Sequence, residues 1–366
     1  MTSISTIRKR IKPFVAMAGL AGMMAVPAKA DSVKVVTDIA PVEALVTRVM
    51  QGVGTPSRLV GNNASPHGLA LRPSQARDLQ EADLIVWIGP ELTPWLDKAI
   101  DSLGENAVTL GLFDAPGTAT LDPRSEAVFA LDLDDHHDEH DHEKHDEHDH
   151  EKHDEHDHEK HDEHDHEKHD EHDHEKHDEH DHEKHDDHED HDDHGHEGHH
   201  HGDTDPHAWL DPQNGRHWLT IIAGSLAQID PANADAYQAN AVAGMAEIDD
   251  AVAKITATLA PVKDRPFLVY HDAYQYFEVA FGLTALGAIS NTDAVTPGPA
   301  RLRAIGDLAA DGGAHCILLS PAESDRYLDS IGTVLHPVVG DPLGDGGSYG
   351  GLLADIAGAI ASCPDH

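Results

Sequence analysis

Cationic side chains are scarce in this sequence of 366 residues: 25 Lys and Arg stand against 68 Asp and Glu, a formal net charge of −43. Residues 134–201 alone hold 33 of the acids and 6 of the lysines, yet the remainder of the chain after residue 30 still carries −21. Such a charge repels nucleic acid and anionic lipid and suits a protein that handles cations. Nucleic acid is therefore excluded as a partner.

Long apolar runs are also missing. The one extended run, residues 14–26, is shorter than the roughly 20 residues that span a bilayer. It follows a basic stretch at residues 8–12 and precedes Ala28 and Ala30, which is the pattern of a secretory signal peptide cleaved after Ala30. We therefore exclude residues 1–30 from the fold and expect an exported protein without membrane insertion, in a Gram-negative periplasm.

Cysteine is limited to Cys316 and Cys363. In an oxidising compartment two cysteines most simply form one disulfide. The alternative is a thiolate metal ligand, which is the weaker interpretation because Cys363 lies in the last four residues and no CxxC spacing is present.

Residues 134–201 lack every aliphatic and aromatic side chain and contain only Asp, Glu, His, Lys and two glycines. The octad HDEHDHEK repeats six times in this segment, which holds 27 of the 34 histidines. With nothing to bury, the segment is predicted to be a disordered loop. Histidines such as His137, His140, His142 and His145, flanked by carboxylates, suit zinc, copper or nickel. We interpret the segment as a weak auxiliary metal collector, although an acidic spacer is the alternative.

Short apolar runs alternate with helical patterns elsewhere, which indicates βαβ units and an α/β fold. Residues 84–89 (LIVWIG) are typical of a strand buried on both faces of a parallel sheet. The longest helical pattern, residues 232–259, would be roughly 42 Å long, with an apolar stripe that includes Val242 and Ile248. A shorter helix is predicted at residues 325–335.

These patterns predict two α/β lobes of parallel-type βα repeats, joined by one long rigid helix, with a ligand cleft between the lobes. The predicted divisions are a signal peptide at 1–30, a first lobe at 31–230 interrupted by the loop 134–204, a linking helix at 231–262 and a second lobe at 263–366.

Three histidines outside the loop lie at strand ends or turns, where ligands gather in open α/β sheets. They are His67 in SPHGLALRPS, His207 in DPHAWLDP and His271 in HDAYQYF. Taken singly, each is more often a structural histidine than a metal ligand. We assign only structural roles to the other histidines outside the loop, His217, His315, His336 and His366.

The motifs NNASPHGLALRPSQARDLQEADLIVWIGPEL, DPHAWLDP, HDAYQYF and DPLGDGGSY resemble those of periplasmic zinc-binding proteins that feed ABC importers, the ZnuA-like members of the metal-binding solute receptors. The resemblance covers nearly all of the chain after the signal peptide, and a His-rich insertion before DPH is itself a mark of the zinc members. It implies that Zn²⁺ is bound between the lobes by His67, His207 and His271.

Some zinc members carry a Glu directly before the first histidine, where this chain has Pro66. Manganese members carry a Glu where His271 stands. The resemblance therefore implies three imidazoles with an open fourth position, which suits zinc better than manganese. The implied partner is an ABC transporter permease, with a periplasmic zinc chaperone as a further candidate and the protein itself a monomer.

Two other functions stay open at this point. A periplasmic metal buffer or chaperone without a transporter would need the same ligands. A His₃ zinc with an open position also occurs in hydrolytic enzymes, but no HExxH motif is present and no carboxylate is marked as a general base. The sequence therefore predicts a transport receptor and not an enzyme.

Overall fold

A computed structural model describes residues 32–62, 64–124, 204–290, 296–321, 323, 325–332 and 334–364, and their strands form two four-stranded sheets. The first half supplies β1 (Val35–Thr37), β2 (Ser57–Arg58), β3 (Leu84–Trp87) and β4 (Val108–Gly111). The second half supplies β5 (Leu268–His271), β6 (Ala288–Ser290), β7 (Cys316–Leu319) and β8 (His336–Val339). The predicted α/β class is confirmed.

The two sheets have the same topology. Their strand orders are β2-β1-β3-β4 and β6-β5-β7-β8, and every neighbouring pair is parallel. Strand β3 is buried at all four positions, as its continuous apolar sequence predicts. Each order reverses direction beside its first strand, and in open α/β sheets ligands bind at such switch points, beyond the carboxyl ends of the strands.

The helices begin and end where the sequence supplies the appropriate residues. Five of them have Pro in the first turn, where a missing N–H costs nothing, and two end at a left-handed glycine, Gly282 or Gly313. The helices are α1 (Ala40–Val49), α2 (Pro73–Gln80), α3 (Pro94–Leu103), α4 (Pro212–Ile229), α5 (Ala234–Leu259), α6 (Gln275–Phe281), α7 (Pro299–Gly312) and α8 (Tyr349–Ala361).

Helix α5 is the predicted linking helix. Its 26 residues span roughly 39 Å, and it packs on α4 and α1 from the first half and on α8 from the second. The predicted buried stripe of α5 is wrong at Val242, which is 63% exposed, whereas the smaller Ala241 and Gly244 are buried. Small residues let α5 approach its neighbours: a Cβ atom at Gly244 would lie 3.0 Å from side-chain atoms of both Arg48 and Leu219, a tight contact.

The largest hydrophobic core joins the two halves. It includes Leu45 and Trp218 from the first half, Ile248 from α5, and Tyr274 and Leu353 from the second. The outer faces of the two sheets have smaller separate cores. The lobes are therefore joined by continuous apolar packing as well as by α5.

Two features of the second half bear on the predictions. Cys316 at the start of β7 is bonded to Cys363 beyond α8, which confirms the disulfide and excludes the thiolate alternative. The prediction of a helix at residues 325–335 is wrong. Asp325–Ser330 form a 3₁₀ helix, and Gly332 follows with a φ of 82°. The backbone there leaves the right-handed region, so the helix cannot continue.

Candidate metal site

His67 lies in the loop that follows β2. The carbonyl oxygen of Pro66 accepts a hydrogen bond from Trp95 Nε1 at 2.7 Å, and the His67 N–H donates to Ser65 Oγ at 3.3 Å. Trp95 belongs to α3, so this loop is held against the first lobe. The His67 side chain itself is half-buried.

His207 is buried at the start of a 3₁₀ turn, Ala208–Leu210, that precedes α4. Asp205 Oδ1 accepts from the His207 backbone N–H at 3.0 Å and lies 2.7 Å from the ring Nδ1. One carboxylate therefore fixes both the turn and the imidazole. With Nδ1–H donated to Asp205, the neutral ring presents Nε2 as its acceptor.

His271 is the last residue of β5 and is also buried. Its Nδ1 lies 2.6 Å from Glu323 Oε1, while Glu323 Oε2 accepts from the backbone N–H of Ser320 at 2.6 Å. Glu323 follows β7, which pairs with β5. The parallel sheet thus brings together two residues far apart in sequence, and Nε2 of His271 is again the nitrogen that a metal can use.

The three rings meet around one cavity of about 30 Å³. Ring centroids of His67 and His207 are 6.2 Å apart, and those of His207 and His271 are 5.4 Å apart. On one tetrahedral zinc such centroids lie roughly 5 Å apart, since Zn–N is about 2 Å. No group of three His, Cys, Asp or Glu side chains in the described part of the chain is already spaced to hold a metal. An inward shift of His67 of roughly 1 Å would bring its ring to that spacing from the ring of His207.

Asp341 also lines this cavity, in the loop that follows β8. Burial raises the pKa of Asp341, partly offset by the hydrogen bond from the Leu343 N–H, and nearby Glu323 raises it further. The next residue, Pro342, accepts from Trp209 Nε1 at 2.7 Å. Sequence analysis missed Asp341, Asp205 and Glu323; only the Asp-X-His spacing of DPH gave a signal for one of them.

The remaining predicted residues lie elsewhere. His217 Nε2 is 2.8 Å from the Pro116 carbonyl oxygen, and the backbone N–H of His336 donates to the carbonyl of His315. None of these three lines the cavity of His67, His207 and His271. His366 and the loop histidines His137, His140, His142 and His145 lie outside the described residues.

A larger cavity of about 820 Å³ lies between α1, α5 and the start of α8. No histidine or cysteine lines it, so it lacks the donors that zinc prefers. The residues that zinc prefers therefore lie at the small cavity.

Among the described helices, none is long and apolar enough to cross a bilayer.

Comparison with known proteins gives one consistent result. The family profile described as "ZnuA: Zinc-uptake complex component A periplasmic" matches residues 35–363. The high-affinity zinc uptake system protein ZnuA of Paracoccus denitrificans (strain Pd 1222) is 41% identical over 355 residues, covering 95% of this chain and 96% of the relative. The protein of the same name from Brucella abortus (strain 2308) is 39% identical over 357 residues, covering 96% and 97%.

Solved structures agree on the fold. A crystal structure of ZnuA matches with a TM-score of 0.63 at 21% identity, covering 91% of this chain and 99% of that one. A 138–173 deletion mutant of ZnuA with zinc bound matches with a TM-score of 0.61 at 21% identity, covering 91% and 98%. At this identity the likeness concerns the fold alone.

Proposed function

Because this chain belongs to the ZnuA family of periplasmic zinc-uptake components, we propose that it captures Zn²⁺ between its lobes and delivers it to the permease of an ABC importer. Zn²⁺ is the cargo. The signal peptide is removed after Ala30, and the protein works in the periplasm as a monomer. A periplasmic zinc chaperone is a further candidate partner.

The observation that carries the proposal is the pairing of two buried histidines with carboxylates. Asp205 and Glu323 occupy Nδ1 of His207 and His271 at 2.7 and 2.6 Å. This carboxylate–histidine arrangement fixes the tautomer of metal ligands and raises their basicity. A histidine with a purely structural role has no need of an acceptor nitrogen beside a cavity that two other histidines also line.

The ligand set favours zinc. Three neutral imidazoles suit a tetrahedral Zn²⁺, and water or Asp341 can supply the fourth position. Manganese prefers a higher coordination number and more oxygen ligands. The sequence and the cavity geometry therefore support His67, His207 and His271 as the zinc ligands.

The histidines of residues 134–201, among them His137, His140, His142 and His145, serve as weak auxiliary zinc ligands in this proposal. Each metal that they capture must order several residues, at about 1–2 kcal/mol per residue. Their sites are therefore much weaker than a preorganised cleft, and they collect zinc without setting selectivity.

Two alternatives make different predictions. A metal buffer without a transporter would bind zinc equally well, but zinc uptake by cells would not depend on it. A His₃ zinc hydrolase would need a general base, and Asp341 is the carboxylate nearest to that role. Turnover of an ester or of CO₂ by the zinc-loaded protein would support the enzyme; we expect none.

The test is His271→Ala in a protein that lacks residues 136–201. Tight zinc binding should weaken by more than about 100-fold, because even outer partners of metal ligands are worth about 10–100-fold. His336→Ala is the matched control, since this exposed histidine is outside the cavity. Retained tight binding in His271→Ala would refute the ligand assignment. His271→Glu should weaken zinc relative to manganese.

A further inference from the structure

The chain on either side of the undescribed interval 125–203 is held beside the metal cavity. We call residues 118–124 and 204–206 the stem. The Asp205 N–H donates to the Leu121 carbonyl at 2.8 Å. The Tyr276 hydroxyl connects the two segments of the stem: it accepts from the Leu121 N–H at 2.9 Å and donates to the Asp205 carbonyl at 2.8 Å. The stem of the first lobe therefore lies on α6 of the second lobe.

The stem is also fixed to the first lobe. The side chain of Asn214 in α4 accepts from the Ala119 N–H at 2.8 Å and donates to the Ala119 carbonyl at 2.9 Å. Trp218 Nε1 donates to Thr118 Oγ1 at 2.9 Å. The stem thus crosses from one lobe to the other directly beside His207 and His271.

Arg124 forms the strongest contact of the stem. Its guanidinium pairs with Asp272, with Nε 3.0 and 3.1 Å from the two carboxylate oxygens, and Nη1 and Nη2 each lie 3.0 Å from an oxygen of Glu278. The side chains of Arg124, Asp272 and Glu278 are only 16, 10 and 4% exposed. Charge-assisted, bidentate pairs at such burial are geometrically specific.

The position of this cluster links it to the candidate ligand. Asp272 directly follows His271, and Glu278 lies in α6, where it also accepts from the Ala285 N–H. Arg124 therefore connects the residue that follows β5 to α6, across the turn that follows His271. Without the guanidinium, these two nearly buried carboxylates would lose the cation that both contact, and Asp272 would keep only the electrostatic attraction of Arg301. The residue next to His271 would then lose its connection to Glu278 of α6.

We propose that Arg124 is a positioning residue that holds His271 at the spacing needed for tight zinc binding. The inference rests on the proposed function, since it assumes that His271 is a ligand. It assigns a role to the stem that is independent of the histidine-rich residues. A lysine could replace the charge but not the forked pairing with both carboxylates.

The test uses the full chain and two probes: Zn²⁺ in competition with a chelator, and the d–d absorption spectrum of Co²⁺ at no more than one equivalent. Arg124→Gln should weaken the tight zinc site by about 10-fold, the lower end of the effect of removing a direct partner of a metal ligand, because Arg124 acts on His271 only through Asp272. The cobalt bands should shift or lose intensity, because they report ligand geometry.

Arg124→Lys should recover part of the affinity. Arg216→Gln is the control: it removes another Arg–Asp pair, with Asp249, and neither residue lines the cavity of the three histidines. It should change affinity by less than about 2-fold.

The outcomes separate the two proposals. If wild type has no tight site, or His271→Ala keeps it, the proposed function fails. If wild type binds tightly but Arg124→Gln gives the same affinity and the same cobalt spectrum, only the role of Arg124 is refuted. If Arg124→Gln does not fold, Arg124→Lys carries the test, and an unchanged cobalt spectrum in that variant overturns the inference.

Discussion

At the scale of single residues, Asp38 offers a clear test of burial. It lies fully buried just after β1, and its two carboxylate oxygens accept from the backbone N–H groups of Ile39 and Ile88 at 2.7 and 2.8 Å. Burial raises the pKa of Asp38 to about 7, although these hydrogen bonds act in the opposite direction. The folded state therefore binds this proton more tightly than the unfolded state does.

The sign of the pH dependence follows from that difference. Between the ordinary carboxyl pKa and about 7, the unfolded chain is already ionised while folded Asp38 keeps its proton, so the free energy of unfolding falls as pH rises. From pH 5 to pH 8 the loss from this one group is about 2–3 kcal/mol. Urea unfolding of wild type and Asp38→Asn at both pH values isolates the contribution of Asp38, because the other groups titrate equally in both proteins. The free energy of unfolding should fall between pH 5 and pH 8 by more in wild type than in Asp38→Asn. Parallel changes in the two would show that Asp38 is not responsible.

The candidate metal site shows which residues can be identified from a sequence alone. His67, His207 and His271 stand in short motifs next to turns and strand ends, so they could be named without a structure. Glu323 could not, because 52 residues separate it from His271 and only the pairing of β5 with β7 brings them together. Asp341 was missed for the same reason: its proximity depends on how the loop after β8 lies against Trp209.

At the scale of elements, the contact between α4 and the first residue of α8 depends on the absence of one side chain. A Cβ atom at Gly215 in α4 would lie 2.4 Å from the ring of Tyr349, the first residue of α8. That ring cannot move freely, because Tyr349 is buried and its OH donates to the Trp209 carbonyl at 2.6 Å. Gly215→Ala must therefore push α8 away from α4.

Gly224 provides the matched control in the same helix, since a Cβ there meets nothing within 4 Å. We expect Gly215→Ala to destabilise the fold by about 1–3 kcal/mol, as overpacking does. Gly224→Ala should stabilise it by about 0.5–1 kcal/mol through helix propensity. Thermal and urea unfolding measure the stability change caused by each substitution. Equal effects of the two substitutions would mean that the α4–α8 contact does not restrict Gly215.

The elements themselves could be predicted because most have a local signal. Apolar runs mark β3 and β7, and Pro in the first turn marks five helices. The exposed Val242 and the buried Gly244 of α5 were not predictable in this way. Which face of a nearly uniform alanine-rich helix is buried depends on its neighbours, and a glycine is buried there because Leu219 approaches it closely.

At the scale of the whole molecule, the two halves share their largest core. Ile248 of α5 and Leu353 of α8 belong to the same cluster as Leu45 of α1. Lobes that share a close-packed core can move only slightly against each other without disrupting that core. The inward shift required of His67, roughly 1 Å, is a movement of that size and lies in a loop outside the sheets.

The stem determines what deletion of the histidine-rich residues should do. Leu121 and Asp205 are joined by a backbone hydrogen bond, so described residues before 125 and after 203 lie next to each other. A shortened connection between them can therefore close without moving His207. The cavity residues lie outside the deleted interval. We therefore expect the deletion to leave one tight zinc site with its affinity essentially unchanged.

The same deletion should abolish the additional weak zinc binding of the intact chain. Carboxylates around the 27 histidines of residues 134–201 favour protonated imidazole, so protons compete with zinc and this weak binding should fall as pH approaches and passes below ordinary histidine pKa values. Calorimetry on intact and deleted protein at two pH values measures both classes of site, and zinc uptake by cells should suffer mainly when zinc is scarce. Loss of the tight site on deletion would make the histidine-rich residues essential ligands and would contradict a cleft formed by His67, His207 and His271.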